Sequence, residues 1–449
     1  MSNEYAQFYK AINPSKTLVY SEEESRQYYI DFSSVRGGQI INKLKNRIVN
    51  LSPDDPTCSL FSGHIGCGKS TELKRLQQEL ETEGFYVVYI ESSQYLEMAD
   101  VDIIDVLMVI AQQITESLKD ISINNPKGFR RLLGQVKDVL TTDVEVAAKT
   151  NIPMMGDLTI DSEEKSLKLN TLGIGEITVK AKNDAKLREK LNQYLGPQKT
   201  ELLRLINKEL LEPAIEQLRS KNLKGLVVIV DNLEKIPNTI KSFGKPQQEY
   251  LYIDQGEILS QLNCHMIYTM PLSLKFSNEF GNLTQRFKSP EILPMVSIKL
   301  KNGDDCEQGL NLLKQMVLAR KYPQLSPEER LDCCLELFDD ETSLDRLCRA
   351  SGGHVRDLLQ LLSSWLEEEM ELPLTRETLE DVIVSKCDEM NLCISDREWE
   401  LLKEVQESKK VRDEEGYQKL IHSRMVFEYK EKRRSWFDIN PILLESDEI

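Results

Sequence analysis

The chain has 449 residues, 40% of them hydrophobic and 29% charged, the balance of an ordinary globular protein with room for several domains. A formal net charge of -17 disfavours broad electrostatic adhesion to nucleic acid or an anionic membrane, and no apolar run approaches the length that spans a bilayer. Nine cysteines without a C-x-x-C pair, beside four histidines, argue against a disulfide framework or a zinc centre; with no secretory pattern in the first residues, they point to a reduced, cytoplasmic setting.

Residues 1–50 read as an irregular arm and then a helix in DFSSVRGGQIINKLKNRIV, with Ser33 or Ser34 as N-cap and Ile40, Ile41, Leu44 and Ile48 at helical spacing. LSPDDPT breaks the chain, CSLFSG is a short strand, and STELKRLQQELETEG is an amphipathic helix closed by Gly84. FYVVYIESS is an apolar run suited to a strand buried on both faces, and DVDIIDVLMVIAQQITESL is a helix capped by Asp100. This rhythm of strand, loop, helix and strand predicts a parallel α/β core over 51–300. Residues 143–198 interrupt it, with DLTIDSEEKSLKLNTLGIGEITVKAK reading as a β-hairpin or a mobile insertion, and a long helical stretch then runs from REKLNQYLG through ELLRLINKELLEPAIEQLRS. KGLVVIVDNLEKI and HMIYTMPLSL supply further strands, and EILPMVSIKL the last. Residues 301–390 read as an all-helical lid, and 391–449 as helices followed by two strands around a basic turn, the pattern of a winged-helix domain. There are no internal repeats.

Gly63, His64, Ile65, Gly66, Cys67, Gly68, Lys69 and Ser70 fit the phosphate-loop pattern G-x-x-x-x-G-K-[ST], with Thr71 next. The glycines let successive N–H groups turn onto phosphate oxygens, Lys69 supplies charge for the β- and γ-phosphates, and the Ser70 hydroxyl can ligate Mg²⁺. A strand before and a helix after give the motif its required context. VVIVDNLEKI is an apolar strand ending in Asp231, placed to hold the magnesium water shell. Where a second carboxylate would orient and deprotonate water, this chain has Asn232, an amide and a poor base. Glu234 is either a substitute base turned inward or a solvated loop charge; the sequence leaves both open.

Together with VRGG before the loop, HMIYTMPLSL, LTQRF and SGGHVRDLLQLL, these motifs resemble the initiator-type AAA+ ATPases, the related STAND signalling ATPases, and short bacterial ATP-binding proteins carrying GHxGCGKSTEL and VVIVDNL. The resemblance spans about residues 30–445. It implies a P-loop core, ATP and Mg²⁺ as ligands, Thr269 as the sensor-1 group, Arg356 as the sensor-2 arginine of the lid, and Arg286 as an arginine finger offered to a neighbouring subunit. Arg36 and Gly37 match the adenine-side element in reversed order.

Two outputs are compatible with these residues. One is a slowly hydrolysing regulatory ATPase whose nucleotide state sets self-assembly or docking of a separate protein effector, as in bacterial signalling or antiviral defence. The other is a DNA-associated initiator, loader or transposition-type ATPase, contacting phosphates through Lys430, Lys432, Arg433 and Arg434 at the wing tip; a solvated turn is the plainer account of those cations. An ordinary metabolic P-loop kinase fits the lid and tail poorly.

Overall fold

The computed structural model describes residues 3–20, 22–119, 122–124, 126–141, 166–168, 173–412, 415–432 and 434–449. At its centre is a parallel sheet of β1 (Cys58–Gly63), β2 (Phe85–Glu91), β3 (Gly225–Asp231), β4 (His265–Met270) and β5 (Glu291–Leu293), in the order β2-β3-β4-β1-β5. β3 is buried at every position, as its unbroken apolar run requires of a strand covered on both faces. Because β4 lies between β1 and β3, Thr269 emerges between the phosphate loop and Asp231, and the register sets Phe61 against Thr269 and Glu91 against Asp231. All these strands end on one edge, where ligands bind in open α/β sheets.

One face of the sheet is covered by the helix Ile103–Ser117, whose apolar run Val106–Ala111 lies wholly buried and whose burial extends from Ile103 through Thr115. Its N-cap is Asp102 rather than Asp100: the Asp102 carboxylate accepts from the Ile104 N–H, with Asp105 closing a capping box. Asp100 is instead paired with Lys241 and Arg188. The other face is covered by the helices Ile40–Asn46 and Lys69–Thr82 through Ile40, Leu44, Leu73 and Leu76. The first of these begins after Gln39, and Ser33 and Ser34 lie in a separate 3₁₀ turn, so neither serine caps it.

The interruption at 143–198 is not a hairpin where it can be described. Helix Ile174–Asn183 stands in its place, because Ile174, Ile177 and Ala181 share one face that joins the main core, and the helical stretch expected from Arg188 begins at Ala185, capped by the Asp184 carboxylate. Ser166–Lys168 pairs antiparallel with Ser122–Asn124. The remainder of that expectation lies outside the described residues.

The N-terminal arm is irregular only in part, since it contains the helices Asn3–Ala11 and Glu23–Tyr28. Helix Asn3–Ala11 packs Tyr5 and Phe8, followed by Ile12, into the core of the helical lid, beside Leu313, Leu362 and Trp365. The lid comprises Glu307–Lys321, Pro327–Asp332, Cys334–Leu337, Glu341–Ala350, Val355–Glu369 and Arg376–Asn391. Helices Asp396–Ser408 and Glu415–His422 then lead to an antiparallel pair, β6 (Val426–Glu431) and β7 (Arg434–Ile439). This hairpin packs on the sheet domain: Phe427, Tyr429 and Trp436 belong to the same core as Leu73 and Ile229. Among the described residues no helix is long and apolar enough to cross a membrane.

Phe427 is fully buried where hairpin, lid and sheet domain meet. Phe427→Ala is expected to cost about 3 kcal/mol and to lower the thermal midpoint measured by calorimetry, with a larger loss than any truncation of an exposed hairpin residue such as Ser435.

Candidate nucleotide-binding site

The phosphate loop leaves β1 and turns at Gly66 and Gly68, whose φ values of +90° and +100° suit residues without a Cβ. At Gly66 the lack of a side chain serves a second purpose, since a Cβ there would lie 2.8 Å from Cε1 of His354. The lid helix Val355–Glu369 therefore starts directly on the loop: the Arg356 N–H donates to Gly66 O at 3.3 Å, and Nε2 of His354 bonds Ile65 O at 2.8 Å. Nδ1 of His354 accepts from the Asp357 N–H, so the same ring caps the helix. Arg36 braces the loop from behind, donating from Nε to Pro294 O at 2.9 Å and from Nη2 to Cys67 O at 2.5 Å.

Within the site, Lys69 donates to the carbonyls of Gly63 and His64 and forms an ion pair with Glu234 at 3.0 Å. Both side chains are at most 5% exposed, which excludes the reading of Glu234 as a solvated loop charge. The inward turn is built by Asn232, whose left-handed backbone (φ +69°) is one that asparagine tolerates better than most residues, and by Thr269, whose hydroxyl accepts from the Leu233 N–H at 3.0 Å. Asp231 accepts from the Tyr89 hydroxyl at 2.7 Å and from the Asn232 N–H at 2.8 Å, with the Ser70 hydroxyl beside it.

Burial opposes charge on both acids, with opposite outcomes. Burial and then the neighbouring Glu234 push the Asp231 carboxyl up. Burial also acts against ionised Glu234, but Lys69 and the Thr269 hydroxyl outweigh it and hold that carboxyl below its usual range. Lys69 is likewise disfavoured by burial, yet Glu234 keeps it firmly protonated.

A cleft of about 890 Å³ opens from these groups. The loop residues 65–71, Asn232 and Glu234 line its phosphate end, while the N-terminal arm, Met316, Arg320, Val355, Arg356 and Leu359 close it from the lid side. Of the site residues expected from sequence, Arg36, residues 65–71, Asn232, Glu234 and Arg356 line the cleft and Asp231 and Thr269 lie behind the Asn232 turn, whereas Gly63 and His64 do not line it and Arg286 lies outside it, donating to Ile253 O. Tyr89, His354 and Arg320 were not anticipated. His354 had a visible signal, standing directly after the glycine pair in SGGHVRDLL; Tyr89 and Arg320 had none beyond a polar group within an apolar pattern.

Fold and site together define a P-loop NTPase. Residues 38–244 match the family model described as the KAP family P-loop domain. No curated protein matches the chain. Among solved structures, a Walker-type ATPase of Pyrococcus abyssi is 12% identical with a TM-score of 0.41, covering 93% of this chain and 98% of its own. The ORC1 protein of Aeropyrum pernix in complex with DNA is 11% identical with a TM-score of 0.36, covering 97% of this chain and 95% of its own. The ORC2 protein of the same organism, in complexes with ADPNP and ADP, is 13% identical with a TM-score of 0.36, covering 90% of each chain.

Removing one member of a buried pair strands the other charge, so Glu234→Gln should destabilise the nucleotide-free protein by about 3 kcal/mol. Because the folded carboxyl is held low, its contribution is full above the unfolded glutamate value of about 4.3 and is lost as pH falls through the lower folded value. Thermal scans of wild type and variant should therefore converge under acid and separate at neutral pH; a constant difference across that range would contradict the assignment.

Proposed function

We propose that the chain is an AAA+/STAND-like regulatory ATPase: it binds Mg-ATP, hydrolyses it slowly, and uses the bound nucleotide to set assembly with itself or with a protein effector, in the manner of a signalling or defence switch. The observation that carries this reading is the Lys69–Glu234 ion pair beneath a lid whose helix begins on the phosphate loop. Ser70 and Asp231 are hard oxygen donors of the type magnesium takes alongside phosphate oxygens, and bound there it would neutralise phosphate charge.

When phosphates enter, Lys69 exchanges Glu234 for phosphate oxygens, and the freed carboxylate faces the γ-phosphate. It then orients a water and takes its proton as the water oxygen bonds to phosphorus and the bond to the β-phosphate oxygen breaks, leaving ADP and phosphate. Asn232 remains a turn residue, so one carboxylate serves both as partner of the lysine and as base, which keeps turnover low. Arg356, at the start of the lid helix, ties the bound phosphates to lid position, and Arg286 is free of its own cleft to serve a neighbouring subunit's. Lys69→Ala should abolish nucleotide binding and nucleotide-dependent assembly, whereas Glu234→Gln should keep binding and lower turnover about 100-fold or more. Light scattering with and without ATP, together with phosphate release, checks both; assembly of Lys69→Ala indistinguishable from wild type would overturn the switch.

A second reading, contact with DNA through a winged-helix-like tail, draws on the exposed Lys432 and Arg434 at the hairpin tip. Lys430 contributes less, since its stem lies against Gly37; Arg433 is outside the described residues. If DNA is a ligand, Lys432→Glu with Arg434→Glu should abolish salt-sensitive binding of a labelled duplex, and unchanged affinity would remove this reading.

A further inference from the structure

At the lid side of the cleft, Arg320 sits near the end of helix Glu307–Lys321 and is 7% exposed. Its Nη1 donates to Met316 O at 2.7 Å, its guanidinium lies 6.0 Å from the centre of the Tyr28 ring, and its Nε has no hydrogen-bond partner. Among the described residues no carboxylate forms an ion pair with it. A guanidinium carries five donors, and one buried with so few of them used is costly to keep. Burial has accordingly pushed its pKa down to about 10, with the neighbouring Tyr28 opposing the shift.

The surfaces around it are those a flat, weakly polar ring needs: Tyr28, Met316, Leu359 and Leu18 line the same cleft. We propose that Arg320 is the base-reading residue of this site, donating hydrogen bonds to acceptor atoms on the purine edge while Tyr28 and the lid side chains enclose the ring. This rests on the nucleotide-site reading above and adds to it the part of the ligand that Arg320 recognises. With donors only, it reads ring nitrogens or a carbonyl and makes no bond to the adenine amino group.

The test compares ATP with inorganic tripolyphosphate, which carries the charge without the base, by calorimetric titration of the full chain. Arg320→Met, which keeps length and apolar volume, should weaken ATP about 10- to 100-fold and leave tripolyphosphate unchanged. Arg320→Lys, which keeps charge but loses the planar fork, should show the same selective loss in smaller measure and serves if the first variant folds poorly. Equal weakening of both ligands would assign Arg320 to the phosphates, and no weakening of either would make it a helix-end residue only; each overturns the proposal while leaving the nucleotide site standing. If wild type binds neither probe, the site reading itself fails and this inference with it.

Discussion

The molecule depends on a close approach between two backbones, the phosphate loop at Gly66 and the first turn of the lid helix at Arg356. It brings a second helix N-terminus onto the cleft already faced by the helix Lys69–Thr82. The terminus of Lys69–Thr82 carries about half a positive charge from its unsatisfied N–H groups, whereas the first N–H groups of the lid helix are taken by Gly66 O and His354 Nδ1. Lys69 adds a full charge and Arg356 another at the rim. A cleft built this way is strongly cationic before any ligand arrives, and a buried cationic cleft is unstable unless something negative enters it.

Glu234 meets that need. Its carboxylate occupies the place of negative charge beside Lys69, where burial raises its pKa but Lys69 and the Thr269 hydroxyl outweigh burial and hold it low. Asp231, only three residues earlier, is pushed the other way by burial and then by the charge of Glu234 beside it. Two carboxylates in one turn are thereby made unequal: one is committed to the lysine, while the other accepts from Tyr89 and Asn232 and stands beside Ser70. Separation of this kind is how sites assign different tasks to like groups.

The parts legible in the sequence were those whose chemistry is local. The phosphate loop is one contiguous motif, and β3 with Asp231 at its end is one unbroken apolar run, so neither needs tertiary information. Glu234 was ambiguous because its direction is set by the left-handed turn at Asn232 and by the Thr269 hydroxyl on a different strand. Helix Ile174–Asn183 was hidden because its apolar residues are sparse and interspersed with Gly, Thr and Lys; the face appears only once Ile174, Ile177 and Ala181 meet the main core. Helix Asn3–Ala11 was missed for the same reason, its apolar side being defined by the lid that receives it. Arg320 was invisible because an arginine near a helix end is ordinary in sequence, and its lack of a counter-ion is a property of the folded surroundings.

The C-terminal hairpin bears on the loop by the same logic of close contact. His64, inside the phosphate loop, accepts the Glu428 N–H on Nε2 and meets Phe427 edge-on, and His354 of the lid stacks on the same ring with an interplanar angle of 7°. Accepting on Nε2 requires a neutral imidazole, and burial, followed by the neighbouring His354 and Lys69, holds the His64 pKa well below its usual value. The contact therefore does not titrate in the physiological range; it responds to geometry alone. A shift of His64 as the loop closes on phosphates has two surfaces to push against, the hairpin through Phe427 and the lid through His354. Interdigitated aromatic contacts of this density change by discrete repacking rather than by gradual strain, so loop, lid and hairpin form one element with few stable arrangements. That element, rather than any single arginine, is what a bound nucleotide would have to bias.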